Sequence, residues 1–349
     1  MGTRLRYGRL FISALLVSVV TVTSAVVVLL TPASAESDCR TVEFTAQNVP
    51  LVVSTPARIQ GTLCAGPNDQ VIHLLVPGAT YNRSYWDFPY QPEKYSYVDA
   101  MRSSGVGIAT LAIDRLSTGE SARPVSAEMS LLTHVDVIRQ LISALRDGNL
   151  GKSFDKVILV GHSFGTLISY GLIGADPNAI DGLISTGVSR GPDPLGLIRI
   201  LITFSHPAAA GEGGRFTGLD PGYLTTIPGR RADFYYTPAA DPNVIAVDEA
   251  TKEPQSLTDL GTVALPLLNT LNFRGPVLNV MGDRDLVFCQ LIPCSSPLSL
   301  WNAEPALFPQ ASSYDSLVVP ETGHDINLHP KAHLFFDRAI SWTKKIMDD

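Results

Sequence analysis

The segment of this chain that most restricts its fold runs from Val157 to Tyr170. The apolar, largely β-branched run Val157-Ile158-Leu159-Val160 reads as a buried strand, Gly161-His162-Ser163-Phe164-Gly165 follows, and Thr166-Leu167-Ile168-Ser169-Tyr170 reads as the start of a helix. A serine on a tight turn between strand and helix has its hydroxyl lifted above the sheet edge, and glycines two positions to either side let neighbouring backbone come close. The G-x-S-x-G pattern alone is short enough to arise by chance. Its flanks supply the meaning, because a strand before and a helix after are what such an elbow requires. The competing reading is an ordinary glycine-rich turn with a capping serine.

The N-terminus places Arg4, Arg6 and Arg9 ahead of an apolar stretch from Leu10 to Leu30, closed by Thr31-Pro32-Ala33-Ser34-Ala35. This order matches a secretory signal, residues 1–35, with cleavage after Ala35. The stretch is also about long enough to span a bilayer, so the alternative is an uncleaved anchor holding the rest outside the cytoplasm. Taking 1–35 away leaves 314 residues, read as one domain over 36–349 with an insertion. That removal drops the basic side chains from 26 to 23 against 33 acidic ones, a formal charge of −10. An acidic surface without basic runs argues against nucleic acid or an anionic membrane as partner, and the mature domain is not expected to integrate into a membrane.

All four cysteines, Cys39, Cys64, Cys289 and Cys294, fall in the exported part, where disulfides are expected. Three pairings are open from sequence. We favour Cys39 with Cys64, clipping the mature N-terminus to an early strand, and Cys289 with Cys294, closing a short loop. The spacing lacks a C-x-x-C pair or a nearby histidine pair, which argues against zinc.

Residues 41–63 alternate in short pieces broken by Pro50, Pro56 and Gly61, as an opening antiparallel hairpin would. Val71 to Val76 and Gly107 to Ile113 are nearly continuous apolar runs suited to strands buried on both faces. Tyr85 to Ser104 can hold a crossover helix with an irregular start at Pro89 and Pro92. Ser126 to Arg146 carries Met129, Leu132, Val135, Ile138, Leu141, Ile142 and Leu145 at helical spacing, with Ser126 as N-cap and Gly148 beyond the end. Asp181 to Thr186, Pro276 to Met281 and Ser316 to Val319 are further strands, and a closing helix is expected from about His333 to Met347. Strand and helix alternation predicts a mostly parallel α/β sheet with helices on both faces. Residues from about 188 to 274 break that pattern with Gly, Pro and aromatics, and read as a cap or lid insertion.

On the elbow and this alternation the chain resembles the α/β-hydrolase superfamily from the Val71 strand to the last helix. The resemblance implies a nucleophile, an acid and a histidine in that chain order, on loops at the C-terminal edge of the sheet. Ser163 is then the nucleophile. Val280-Met281-Gly282-Asp283-Arg284-Asp285 supplies the acid, with Asp285 at the family's G-x-x-D spacing and Asp283 as competitor, better suited to bonding the loop backbone. Arg284 reads as a structural ion-pair partner. Gly323-His324, after the last strand, supplies the base. Of the other histidines, His162 is expected to pack, His73 and His134 to be satisfied structurally, and His329 and His333 to be solvated. The resemblance also implies an oxyanion hole from the backbone N–H of Phe164 and, by alignment of Val76-Pro77-Gly78-Ala79-Thr80 with the family's His-Gly-x turn, that of Ala79. Pro77 departs from the usual histidine there, and Thr80 or Tyr81 either adds a side-chain donor or stabilises the turn.

The chemistry so implied is that of a serine hydrolase of the carboxylesterase, lipase or lactonase type, secreted, working through an acyl-enzyme on a hydrophobic small-molecule ester or lactone without cofactor or metal. Tyr235 and Tyr236 are candidate pocket-lining residues. A serine nucleophile argues against the epoxide and haloalkane hydrolases of the same fold, which use aspartate. The alternatives are a carbon–carbon bond hydrolase or peptidase of this fold and, from another class, a catalytically silent extracellular binding module.

Overall fold

A computed structural model describes residues 1–2, 38–189, 194–210, 212–262, 270–289, 294, 300 and 305–348. The expected export signal falls almost wholly outside them, as do parts of the expected cap. The chain divides into two units, Met1–Ser34 and Ala35–Asp349, and every described strand and helix lies in the second.

The second unit begins with strands β1 (Asp38–Ala46) and β2 (Ala57–Ala65), the expected hairpin, paired antiparallel with Cys39 opposite Cys64. The structure joins these two cysteines, and likewise Cys289 and Cys294. Strand β3 (Val71–Val76) is buried at every position, as its unbroken apolar run requires. The crossover after it is two short helices, α1 (Pro92–Tyr95) and α2 (Tyr97–Ser103), the second capped by the Ser96 hydroxyl. Strand β4 (Ile108–Ile113) leads to helix α3 (Leu131–Arg146). The expected cap of this helix is corrected. Ser126 opens a separate 3-10 turn, and the helix is capped by Ser130, whose hydroxyl accepts from the Thr133 N–H; Leu132, counted in the apolar stripe, faces solvent.

Strand β5 (Lys156–His162) runs straight into the elbow and helix α4 (Phe164–Ala175), followed by β6 (Gly182–Thr186). The stretch expected as a cap contains helix α5 (Pro194–Thr203), strands β7 (His206–Pro207) and β8 (Tyr223–Thr225), helix α6 (Pro242–Thr251), strand β9 (Gln255–Ser256) and helix α7 (Leu257–Gly261). Its three strands form a small antiparallel sheet, which the sequence pattern does not announce because segments of two or three residues are too short to show a period. The main sheet resumes with β10 (Val277–Gly282) and β11 (Tyr314–Val319), and helix α8 (Ala332–Asp348) closes the chain.

The main sheet has eight strands in the order β1-β2-β4-β3-β5-β6-β10-β11, parallel from β4 to β11, with the β1–β2 hairpin added antiparallel at one side. The C-terminal ends of β3, β5, β10 and β11 therefore open toward one edge. In an open parallel sheet that edge is where loops can converge on a ligand. Among the described residues no helix is long and apolar enough to cross a membrane.

Candidate active site

Ser163 stands between β5 and α4 with φ 51° and ψ −115°, a backbone conformation that L-residues avoid. The surroundings hold it there. Its N–H donates to the Thr186 carbonyl at 2.9 Å, tying the turn to β6, while the Thr166 hydroxyl donates to the Gly161 carbonyl at 2.8 Å. A Cβ at Gly165 would lie 2.1 Å from the Val76 carbonyl oxygen, and one at Gly161 would lie 2.6 Å from the Thr166 nitrogen. Both glycines of the motif are thus required by close approach.

The loops after β10 and β11 bring the other two residues to this serine. His324 Nε2 lies 2.8 Å from Ser163 Oγ, and its Nδ1 lies 2.8 Å from Asp285 Oδ2. The second oxygen of Asp285 accepts from the N–H groups of Val287 at 2.7 Å and Phe288 at 3.1 Å. Both sides of the carboxylate are therefore engaged, and its orientation is fixed. Asp285 and His324 are buried, and the Phe288 ring stacks on the imidazole with centroids 5.8 Å apart. Burial works against a charged His324, but the Asp285 charge and hydrogen bond outweigh it and hold the imidazole above its usual range. Asp283 is elsewhere: it accepts from the Thr322 N–H at 3.2 Å and pairs with Arg284 at 3.6 Å.

Phe164 opens α4 directly beside Ser163, and Ala79 lines the same cavity. The rest of the lining is mostly apolar: Leu167, Ile200, Leu201, Phe204 and Phe234, with Leu260, Phe288 and the Tyr81 ring. The expectation for Tyr235 and Tyr236 is therefore corrected: the neighbouring Phe234 forms the wall. Tyr235 turns inward to donate to Asp248 at 2.8 Å, and Tyr236 lies over Arg284 on another surface. Of Thr80 and Tyr81, the first bonds within the turn and the second reaches away from it. The Thr80 hydroxyl donates to the Ala79 carbonyl and accepts from Arg231 at 2.6 Å, and the Tyr81 hydroxyl lies 2.5 Å from Asp325 and 3.1 Å from Asp248.

These contacts belong to a buried charged cluster beneath the serine that sequence reasoning missed. Arg231 donates to Asp248 at 2.6 Å and lies over the Tyr81 ring at 4.0 Å. Burial raises the carboxyls of Asp248 and Asp325 above their ordinary range despite the pull of Arg231. His162 joins from the other side, stacked on Tyr85 at 4.3 Å, with Nδ1 3.1 Å from the Thr186 hydroxyl and Nε2 facing Asp325 at 3.4 Å. Burial, with His324 close by, depresses its basicity, so it packs as a neutral ring. His329 also departs from expectation. It is buried, not solvated: its Nδ1 lies 2.8 Å from the Asp325 carbonyl, and its Nε2 accepts from the N–H groups of Gly323 and Tyr236. His333 is exposed, and His73 and His134 are hydrogen-bonded inside the body. Among the described residues no group of three or more His, Cys, Asp or Glu side chains could hold a metal ion.

A parallel sheet with a strained serine on the turn after its middle strand, and a carboxylate and a histidine arriving on the ends of its last two strands, defines the class. The chain belongs to the alpha/beta hydrolase family, whose model matches residues 74–333. No curated protein sequence matches it. Similar solved structures include a thermophilic esterase from Thermogutta terrifontis (18% identity, TM-score 0.57, 88% of this chain and 99% of that one). A monoacylglycerol lipase from Paleococcus ferrophilus is similar at 16% identity and TM-score 0.54, over 88% and 99% of the two chains. A peroxisomal alpha-beta-hydrolase from Saccharomyces cerevisiae shares 12% identity at TM-score 0.57, over 90% of each. At these identities the likeness speaks for the fold.

Proposed function

We propose that this protein is an exported serine hydrolase that cleaves a carboxylic ester or lactone of a hydrophobic small molecule through an acyl-enzyme. The observation carrying this reading is the unbroken line Ser163 Oγ, His324, Asp285, with both hydrogen bonds at 2.8 Å and its open end in an apolar cavity. A serine hydroxyl attacks a carbonyl only when its proton is removed as the bond forms. His324 Nε2 takes that proton, and Asp285, fixed by two N–H groups of its own loop, keeps the other ring nitrogen protonated and stabilises the imidazolium. The N–H groups of Phe164 and Ala79 receive the oxyanion. His324 then returns the proton to the leaving alcohol, and water repeats the sequence on the acyl-serine.

The apolar walls favour an acyl chain or hydrophobic ring over a charged substrate. Residues 1–35 act as the export signal, 36–349 as the hydrolase body, and about 188–274 as the cap. The two disulfides support an oxidising location. The test is hydrolysis of p-nitrophenyl esters of increasing acyl length by residues 36–349 and by the Ser163→Ala form. Turnover that has a length optimum and is lost in the variant is the expected result. Equal rates in both, or no rate in either, would redirect the reading to carbon–carbon or peptide bonds, and then to binding.

A further inference from the structure

Arg115 follows β4 and is fully enclosed, far from any exposed role for a guanidinium. Its Nε donates to the Pro77 carbonyl at 3.0 Å, and one terminal nitrogen donates to the Gly78 carbonyl at 2.8 Å and to Gln255 Oε1 at 3.0 Å. The Gly78 carbonyl and the Ala79 N–H belong to one peptide, and every described peptide is trans, so the two groups point opposite ways. A cation gripping that carbonyl therefore fixes the Ala79 N–H to point away from the guanidinium. The same guanidinium lies 4.9 Å over the Phe164 ring, and the His134 ring meets that ring edge-on at 5.5 Å. The circle closes through the cap: Gln255 Nε2 donates to Asp259 at 2.6 Å, and Asp259 lies 3.3 Å from His134 Nε2. Burial pushes the Arg115 guanidinium down to about 10, with Asp259, Glu253 and Asp114 opposing, which leaves it cationic at neutral pH.

We propose that Arg115 is the positioning residue of the oxyanion site, fixing the Gly78–Ala79 peptide and the Phe164 ring together, and that Gln255 and Asp259 tie it to the cap. One side chain thereby bears on both residues, 85 apart in the chain, whose N–H groups are the proposed donors; the Tyr81 N–H, which donates to the same Gly78 carbonyl at 3.3 Å, supports it on the first. This rests on the serine hydrolase reading and deepens it. It also gives the cap a part in the chemistry, since the side chain completing the Arg115 site lies on β9.

The test compares wild type with Arg115→Met and Arg115→Lys on a p-nitrophenyl ester, alongside two inhibitors: an alkyl boronic acid, which forms a tetrahedral adduct with the serine, and an ether isostere of the ester, which has no carbonyl. For Arg115→Met we expect kcat to fall roughly 10- to 100-fold with KM within about threefold, and boronate affinity to fall alongside kcat while ether affinity holds. Arg115→Lys keeps the charge without the fork and should lie between. A kcat for Arg115→Met within about threefold of wild type, or equal loss of boronate and ether affinity, overturns the proposal. Should Arg115→Met not unfold cooperatively, Gln255→Leu carries the test. Its expected result is a boronate-selective loss with kcat down roughly 3- to 10-fold, and an unchanged or unselective result overturns the proposal equally. A wild type that neither turns over the ester nor is labelled at Ser163 by a fluorophosphonate removes the underlying reading as well, and is seen before any Arg115 variant is made.

Discussion

The line from Ser163 to Asp285 and the charged cluster below it are both buried hydrogen-bonded assemblies, yet they are built on opposite principles. Along the upper line each ring nitrogen has one partner and each carboxylate oxygen is engaged, so a single arrangement is favoured. In the lower cluster two carboxylates share the one hydroxyl proton of Tyr81, the Arg231 guanidinium bonds Asp248, and Asp325 Oδ1 and His162 Nε2 face each other without a hydrogen bond. Orientation is the product of the first and charge containment that of the second. Loss of a member should therefore cost turnover above and folding below.

The largest separation comes from the acids above. Asp285→Asn should lower kcat about 10⁴-fold with little loss of stability, because the amide favours the wrong imidazole tautomer. Asp283→Asn should cost less than about tenfold, since it removes only loop hydrogen bonds; equal losses at the two positions would break the assignment of the acid. Below, Asp248→Ala leaves Arg231 buried and unpaired and should cost about 3–5 kcal/mol in urea unfolding, whereas Arg231→Met with Asp248→Leu should cost much less. A pair as damaging as the single change would mean that the cluster is more than contained charge. Replacing both Cys289 and Cys294 by serine frees the loop that begins with the Cys289 N–H bond to the Asp285 carbonyl, and should cost about 2 kcal/mol by loop entropy together with part of the activity. Unchanged melting and rate would remove that support from the upper line.

The smallest effect is in pH. His324 must be neutral to accept a proton, and its folded value is held above the ordinary 6.5. Activity should therefore rise with pH through an inflection above 6.5, so that kcat/KM at pH 6.5 is below half its alkaline plateau. For stability the sign is reversed: a raised histidine stabilises the fold below its unfolded value, and that contribution is lost as pH rises through the folded one. An inflection below 6.5 would mean that burial, not Asp285, governs the imidazole.

The upper line was legible in the sequence and the lower cluster was not. Ser163, Asp285 and His324 each follow a strand whose apolar run is visible locally, and chain order does the rest. Arg231 with Asp248, Tyr81 with Asp325, and Arg115 with Pro77, Gly78 and Gln255 are pairings between separate segments, and a single sequence carries no local mark of them. The same limit explains the misplaced Tyr235 and His329, whose faces are decided by distant acids and N–H groups. In the cap, α6 had a readable start in Asp241-Pro242, where the aspartate accepts from the Asn243 N–H and proline takes the first helical position. The strands around it had none. The early start given to α3 failed because Ser126 and Ser130 are both competent caps, and packing chose the second.

The place of β1 has a practical bearing on how this protein can be handled. Asp38 enters the sheet at its outermost strand, four strand spacings from the one that carries Ser163, or roughly 19 Å at ordinary sheet spacing. A purification tag or a solid support joined directly ahead of that residue is attached at a cross-linked corner of the sheet. Attachment through that end is accordingly the way to immobilise the molecule with its reacting groups undisturbed.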